Sequence, residues 1–163
     1  MSVGDVISME RGSGARFNTG KAPMQLVPLS AMAAEWRARP FLKDSQLAII
    51  CALDAVGRFQ EGGAVEHLFT ACQAIGDGWQ DCAAVFDYGR KKYAEWNWAK
   101  GMAWSVPLAC IARHLQAMFY GHTIDQESQL PHRGHVYCNV VMLVTYTRTF
   151  TEGDDRPSRW FQT

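Results

Sequence analysis

Residues 131–147, PHRGHVYCNVVMLVTYT, decide the fold class of this 163-residue chain. The run Val140–Val144 is rich in β-branched residues and, taken alone, passes for a strand. The residues ahead of it keep helical phase. His132, His135 and Asn139 stand at i, i+3 and i+7, so on a helix they fall within about 60° of one another and share one stripe. That stripe continues into Met142 and Leu143. The periodicity predicts one helix from about Pro131 to Thr147.

Outward from there, the same period recurs between glycine breaks. Ser105 reads as an N-cap with Pro107 in the first turn, followed by Leu108, Ile111, Leu115 and Met118 on one stripe and a stop at Gly121. Thr123–Leu130 is a polar connector. Upstream, Trp79 to Tyr93 carries Cys82, Val85 and Phe86, and Asn97–Gly101 reads as a loop. Val65, Leu68, Phe69, Cys72 and Ile75 share helical spacing and end at Gly76 and Gly78. Leu47, Ile50, Cys51, Ala55 and Phe59 form the apolar side of a helix starting at Asp44 or Ser45 and broken by Gly62-Gly63. A first helix, Ala31 to about Arg39, is capped by Ser30 and ends before Pro40. The expected fold is all-α: one compact multi-helix domain over 1–163, of about five or six helices, with a flexible N-terminal arm over 1–20. Residues 151–163 form a polar tail whose Trp160-Phe161 pair is expected to dock back.

Composition narrows the function classes. Hydrophobic residues make up 48% and charged residues 20%, as in globular chains. Sixteen Lys+Arg balance sixteen Asp+Glu, which disfavours a duplex nucleic acid coat or a membrane surface as partner. No apolar run approaches the ~20 residues that span a bilayer. Five cysteines, an odd number with no CxxC, suit neither a disulfide frame nor a zinc cluster. Buried reduced thiols in a cytoplasmic setting fit better. Six tryptophans and eight phenylalanines exceed what a small helical core needs, so a homo-oligomer is expected.

Chemistry-bearing residues concentrate between Tyr88 and Asn139. Tyr88-Gly89-Arg90-Lys91-Lys92-Tyr93, Asn97-Trp98 and Lys100-Gly101 combine cations, glycines and rings, which suits a phosphate plus a planar base. The same cations also suit a solvated helix C-terminus. Arg113-His114 follows, with His114 at the edge of an apolar stripe. The third group is Asp125-Gln126-Glu127-Ser128, His132, His135 and Asn139. Buried polar groups need partners. A divalent metal held by imidazoles and a carboxylate, a hydrogen-bonding wall for a nucleotide, and a polar network fixing helix packing all satisfy that need. Asp77 and Asp81 stand at i, i+4 and read either as a magnesium pair or as helix-start acids. No phosphate-binding glycine loop, nucleophile elbow or HExxH occurs.

In order, these residues resemble a bacteriophage family, the N-terminal domain of dATP/dGTP diphosphohydrolases. The resemblance rests on Gly20-Lys21-Ala22-Pro23 with Leu26-Val27-Pro28, then Gly89-Arg90-Lys91-Lys92-Tyr93, Asn97-Trp98-Ala99-Lys100-Gly101 and Arg113-His114-Leu115. Asp125-Gln126-Glu127-Ser128-Gln129-Leu130-Pro131-His132 follows, with His135 and Asn139 closing the series. It covers about 13–30 and 84–145. Gln129 stands where the family has glycine, and helices over 35–83 are inserted ahead of the motif-bearing helices of 84–148. No ExxE motif is present.

The resemblance implies purine (deoxy)nucleotide chemistry in the host cytoplasm. Glu127 and His132 are the catalytic candidates. Asp125, His132 and His135 would hold a divalent metal, magnesium or manganese. Arg16, Lys21, Lys92, Tyr93, Asn97, Trp98, Lys100, Arg113, His114 and Asn139 would bind the nucleotide. The alternative is a non-catalytic sponge that sequesters a host immune signal, a cyclic nucleotide or an ADP-ribose-type molecule.

Overall fold

A computed structural model describes residues 2–162. Among them are six α-helices: α1 (Leu29–Arg37), α2 (Asp44–Gln60), α3 (Glu66–Ile75), α4 (Trp79–Lys92), α5 (Ser105–Phe119) and α6 (His132–Thr149). Two isolated β-bridges, Val3 with Arg16 and Ile124 with Pro131, are the extended pairings among the described residues. The fold is all-α. No helix among the described residues is long and apolar enough to cross a membrane.

The β-branched run lies inside α6, as its phase predicts. α6 packs against α3, α4 and α5. Val136, Val140, Leu143 and Tyr146 are buried in that packing. Tertiary burial of several faces outweighs the weak helix propensity of valine. Close approach also needs small residues. A Cβ on Gly134 would lie 2.7 Å from Asp81 O, so glycine lets α6 press on α4. A Cβ on Gly57 would lie 2.5 Å from Ser30 N, so glycine likewise seats α1 on α2.

Several local expectations need correction. α1 begins at Leu29 with Pro28 as N-cap, so Ser30 lies inside the first turn. Ser105 is likewise inside α5. That helix start is capped from the tail, where Asp155 accepts from Ser105 N–H at 2.8 Å and from Ser105 Oγ at 2.6 Å. Residues Asn97–Lys100 form a 3-10 turn rather than a plain loop. On α2 the expected Ile50, Ala55 and Phe59 are buried together with Ile49, Leu53 and Val56, while Leu47 and Cys51 face outward. α2 is sandwiched by α1, α3 and α5, so only a narrow stripe remains wet. Cys51 is therefore an exposed thiol, unlike buried Cys82, Cys110 and Cys138; Cys72 is half-buried and all five are free.

The tail docks, but not through its aromatic pair. Trp160 is 73% exposed. Arg156 does the docking: it donates to Phe59 O and Gly63 O, both at 2.9 Å, and lies over the Phe59 ring at 4.3 Å.

The irregular N-terminal arm is tied to the 3-10 turn. Gly12 N–H donates to Lys100 O at 2.7 Å and Gly14 N–H to Gly101 O at 2.8 Å. Lys100 Nζ donates to Asp5 O at 2.9 Å and Ser8 O at 2.6 Å. Arg11 pairs with Glu152. These bonds carry the arm across to α5 and α6 and deliver Arg16 there.

Candidate functional site

A cavity of about 770 Å³ opens between α4, α5 and α6. One stripe of α6, running through His135, Asn139, Met142, Thr145 and Arg148, forms its floor. α4 and the chain just after it supply the opposite wall, including Phe86, Lys92, Tyr93, Trp96 and Trp98. α5 adds Cys110, Arg113 and His114, the α5–α6 connector adds Asp125 and Glu127, and the first residues add Arg16 and Lys21.

Three imidazoles gather at one end, His114 and His135 in the lining and His132 buried behind them. His114 Nδ1 and His132 Nδ1 are 2.8 Å apart. The His114 and His135 rings stack at 4.3 Å and 9°. One ligand atom each from His114, Asp125 and His132 lies within 4.8 Å of the others. The metal trio expected from the sequence was Asp125, His132 and His135, and here His114 stands with the first two. His135 instead turns Nε2 to Ser128 Oγ at 2.7 Å and lies 3.6 Å from Asp125 Oδ2. Ser128 gives its hydroxyl proton to Asp125 Oδ2 at 2.8 Å and its N–H to the same oxygen at 2.8 Å. With that proton spent, the His135 contact must be donated from Nε2–H.

Protonation follows from burial. Burial pushes His114 down to about 2, with the neighbouring His135 and His132 adding to the shift. His135 falls to about 4, mainly through burial and against the pull of Asp125. His132 is lowered by burial too. All three are neutral at pH 7, so each has a lone pair to offer. Burial raises Asp125, but two hydrogen bonds from Ser128 and the nearby imidazoles outweigh it and keep it ionised.

The cations surround this cluster. Glu127 accepts from Lys92 Nζ at 2.7 Å and pairs with Lys21 Nζ at 3.1 Å, and these bonds hold its carboxyl below the usual carboxylate range. Arg16 donates to Cys110 Sγ at 2.8 Å, Asn139 Oδ1 at 3.1 Å and Met142 Sδ at 3.2 Å. Arg113 donates to Cys110 Sγ at 3.0 Å, Ala22 O at 3.2 Å and Asn18 Oδ1 at 3.4 Å. Two guanidinium groups thus converge on one thiol, and none of these partners is a carboxylate.

Other expected residues sort differently. Tyr93 lines the cavity, accepts Phe17 N–H at 3.4 Å and packs its ring 5.1 Å from Phe17. Asn97 is buried and spent on the arm, accepting Ala15 N–H at 2.6 Å. Lys100 holds the arm and is not part of the cavity wall. Trp98 lines the cavity, whereas Trp104 is core, its indole N–H bonded to Phe150 O at 2.9 Å. Asp81 pairs with Arg133 at 3.0 Å, and Asp77 accepts Trp79 N–H at 3.1 Å at the start of α4, which is the helix-start reading of that pair. Sequence reasoning missed Phe86, Trp96 and Cys110 as lining residues. Cys110 stands one turn before Arg113, the only available signal.

A family model described as dATP/dGTP diphosphohydrolase, N-terminal, matches residues 75–156. The chain belongs to this family. Its description is that of a nucleotide hydrolase, and the matched segment contains α4, α5, α6 and every imidazole and carboxylate of the cluster. Arg16 and Lys21 lie outside the matched segment, yet they enter the same cavity as the diphosphohydrolase motifs. No curated protein and no solved structure matches the chain.

Proposed function

We propose that the protein is a metal-dependent purine (deoxy)nucleotide phosphohydrolase acting in the cytoplasm of a phage-infected host. The carrying observation is the pair of guanidinium groups, Arg16 and Arg113, held without a carboxylate partner beside His114, Asp125 and His132. A half-buried cation facing only a thiol, amides, a carbonyl and a thioether is incompletely compensated. A polyphosphate supplies the missing charge in the planar, forked geometry that arginine matches.

The donor set fits a divalent ion. Two neutral imidazole nitrogens and one ionised carboxylate oxygen converge. Of the ions expected, manganese suits such a mixed set better than magnesium, which favours oxygen ligands. Bound there, the ion supplies Lewis-acid polarisation of a phosphoryl oxygen and a nucleophilic water at neutral pH.

The protein's residues do the rest. Arg16, Arg113, Lys21 and Lys92 neutralise and align the phosphates. As the phosphates draw Lys21 and Lys92 to themselves, Glu127 loses the two partners that hold its basicity down. Its carboxylate then accepts the proton of the attacking water. The water oxygen bonds to the α-phosphorus, the α–β anhydride bond breaks, and a nucleoside monophosphate and pyrophosphate leave.

The experiment incubates pure protein with dATP or dGTP and manganese or magnesium and resolves products by chromatography. Chelator-sensitive release of monophosphate and pyrophosphate is the expected result. Stoichiometric capture of a cyclic nucleotide or ADP-ribose-type signal, recovered intact after heat denaturation, supports the sponge reading instead. The absence of an ExxE cage and the single carboxylate of the cluster favour keeping that reading in the test.

A further inference from the structure

The cavity changes character along α6. From His135 to Thr145 the helix axis rises about 15 Å, and the lining passes from imidazoles and cations to Met142, Val141, Phe86, Trp98 and Trp96. Trp98 sits at the centre of this second end, 5.4 Å from the Phe86 ring, 6.0 Å from Trp96 and 6.3 Å from Tyr146. Its backbone is held by Tyr146 OH, which donates to Trp98 O at 2.6 Å. Trp96 is the opposite case. It is 69% exposed, and its backbone is left-handed at φ 59° and ψ 14°. A bulky residue in that region is a genuine outlier. Trp96 starts the Asn97–Lys100 turn, its carbonyl accepting Ala99 N–H at 2.9 Å, and the turn leaves the indole exposed at the edge of the cavity.

Two of the hydrogen-bonding groups at this end are already engaged, and the Arg148 side chain lies about one turn further along α6. Thr145 Oγ1 donates to Val141 O at 2.8 Å, and the Asn97 amide accepts Ala15 N–H at 2.6 Å. A ligand entering here meets ring faces more than polar edges. The geometry points to Trp96 and Trp98 as the seat of a planar heterocyclic base, with Trp98 as the fixed platform and Trp96 as the movable ring that covers it. This rests on the phosphate assignment at the other end, since a base tethered to phosphates there reaches this end of the same cavity. Two stacked layers need about 7 Å between ring planes, more than the present 6.0 Å between centroids. Trp96 must therefore shift outward when a base enters, and its exposed position allows that.

Trp96→Gly tests the seat, because glycine takes the left-handed backbone without a Cβ penalty and removes only the ring. Titrate wild type and variant with dATP and with inorganic tripolyphosphate, by calorimetry, and follow indole fluorescence. The expected result is roughly ten-fold weaker dATP binding in the variant, the scale of one base–aromatic stack. Tripolyphosphate affinity stays unchanged, and Trp96→Phe recovers most of the dATP loss. Equal dATP affinity in wild type and Trp96→Gly overturns the seat while leaving the phosphate end intact. Wild-type protein that binds dATP but not tripolyphosphate counts against the phosphate assignment instead.

Discussion

The two ends of the cavity are built in opposite ways. The imidazole end draws on the arm (Arg16), the segment after it (Lys21), the end of α4 (Lys92), α5 (Arg113, His114), the connector (Asp125, Glu127) and α6 (His135), with buried His132 backing His114 from outside the lining. The indole end draws mainly on one short stretch, Phe86 to Trp98, laid against α6. Polar groups are costly to bury unless they compensate one another, so the first end needs contributions from far along the chain. Apolar and aromatic faces need only contact area, so a local stretch suffices. The polar end of the cavity thus depends on the whole fold, whereas the aromatic end depends on one loop and one helix.

The sharpest break between the ends comes from His132→Ala. It removes one of the three proposed metal donors without touching the indoles. Turnover of dATP is expected to fall by roughly 100-fold, with dATP affinity at the indole end reduced far less. A folded His132→Ala variant with wild-type turnover would end the metal proposal.

Acid should also act on one end only. His114 has its folded value pushed down to about 2 from an ordinary 6.5. A depressed histidine binds fewer protons folded than unfolded, so stability is complete above pH 6.5 and declines as pH falls below it. His135, lowered to about 4, acts in the same direction. In chelator, urea unfolding should show a loss of roughly 1–2 kcal/mol from His114 between pH 6.5 and 5. His114→Gln should flatten that slope. A wild-type stability that is level from pH 7 to 5 would show the imidazoles are not held neutral.

Arg16→Met probes the smallest difference. The substitution keeps bulk and removes an uncompensated charge, so the thermal midpoint should hold or rise. Tripolyphosphate binding should weaken by about ten-fold, the scale of one charge-assisted hydrogen bond. A large drop in midpoint with unchanged affinity would make Arg16 a structural residue.

Much of this was legible in the chain. The stripe His132, His135, Asn139 and Met142 was readable because a helix has one period, and glycines marked where α2, α3 and α5 stop. The differences have a common cause. Lys100 and Asn97 sit among cations and rings in sequence, but the arm folds back and bonds to both, Asn97 keeping its place in the cavity lining while Lys100 does not. His114 replaced His135 in the donor group because the facing of α5 against α6 decides which ring turns inward. Asp155 caps α5 from fifty positions away in the chain, which no local pattern reveals.

By itself, the order of residues determined that the chain is helical, where most helices break, and which family it belongs to, because helical period and motif order are local properties. Only the tertiary structure decided that Arg16 and Arg113 share one thiol, that three imidazoles touch, and that Trp96 stands at a mouth. Those are contacts between groups distant in the chain, and their geometry is set by helix packing and by the path of the arm.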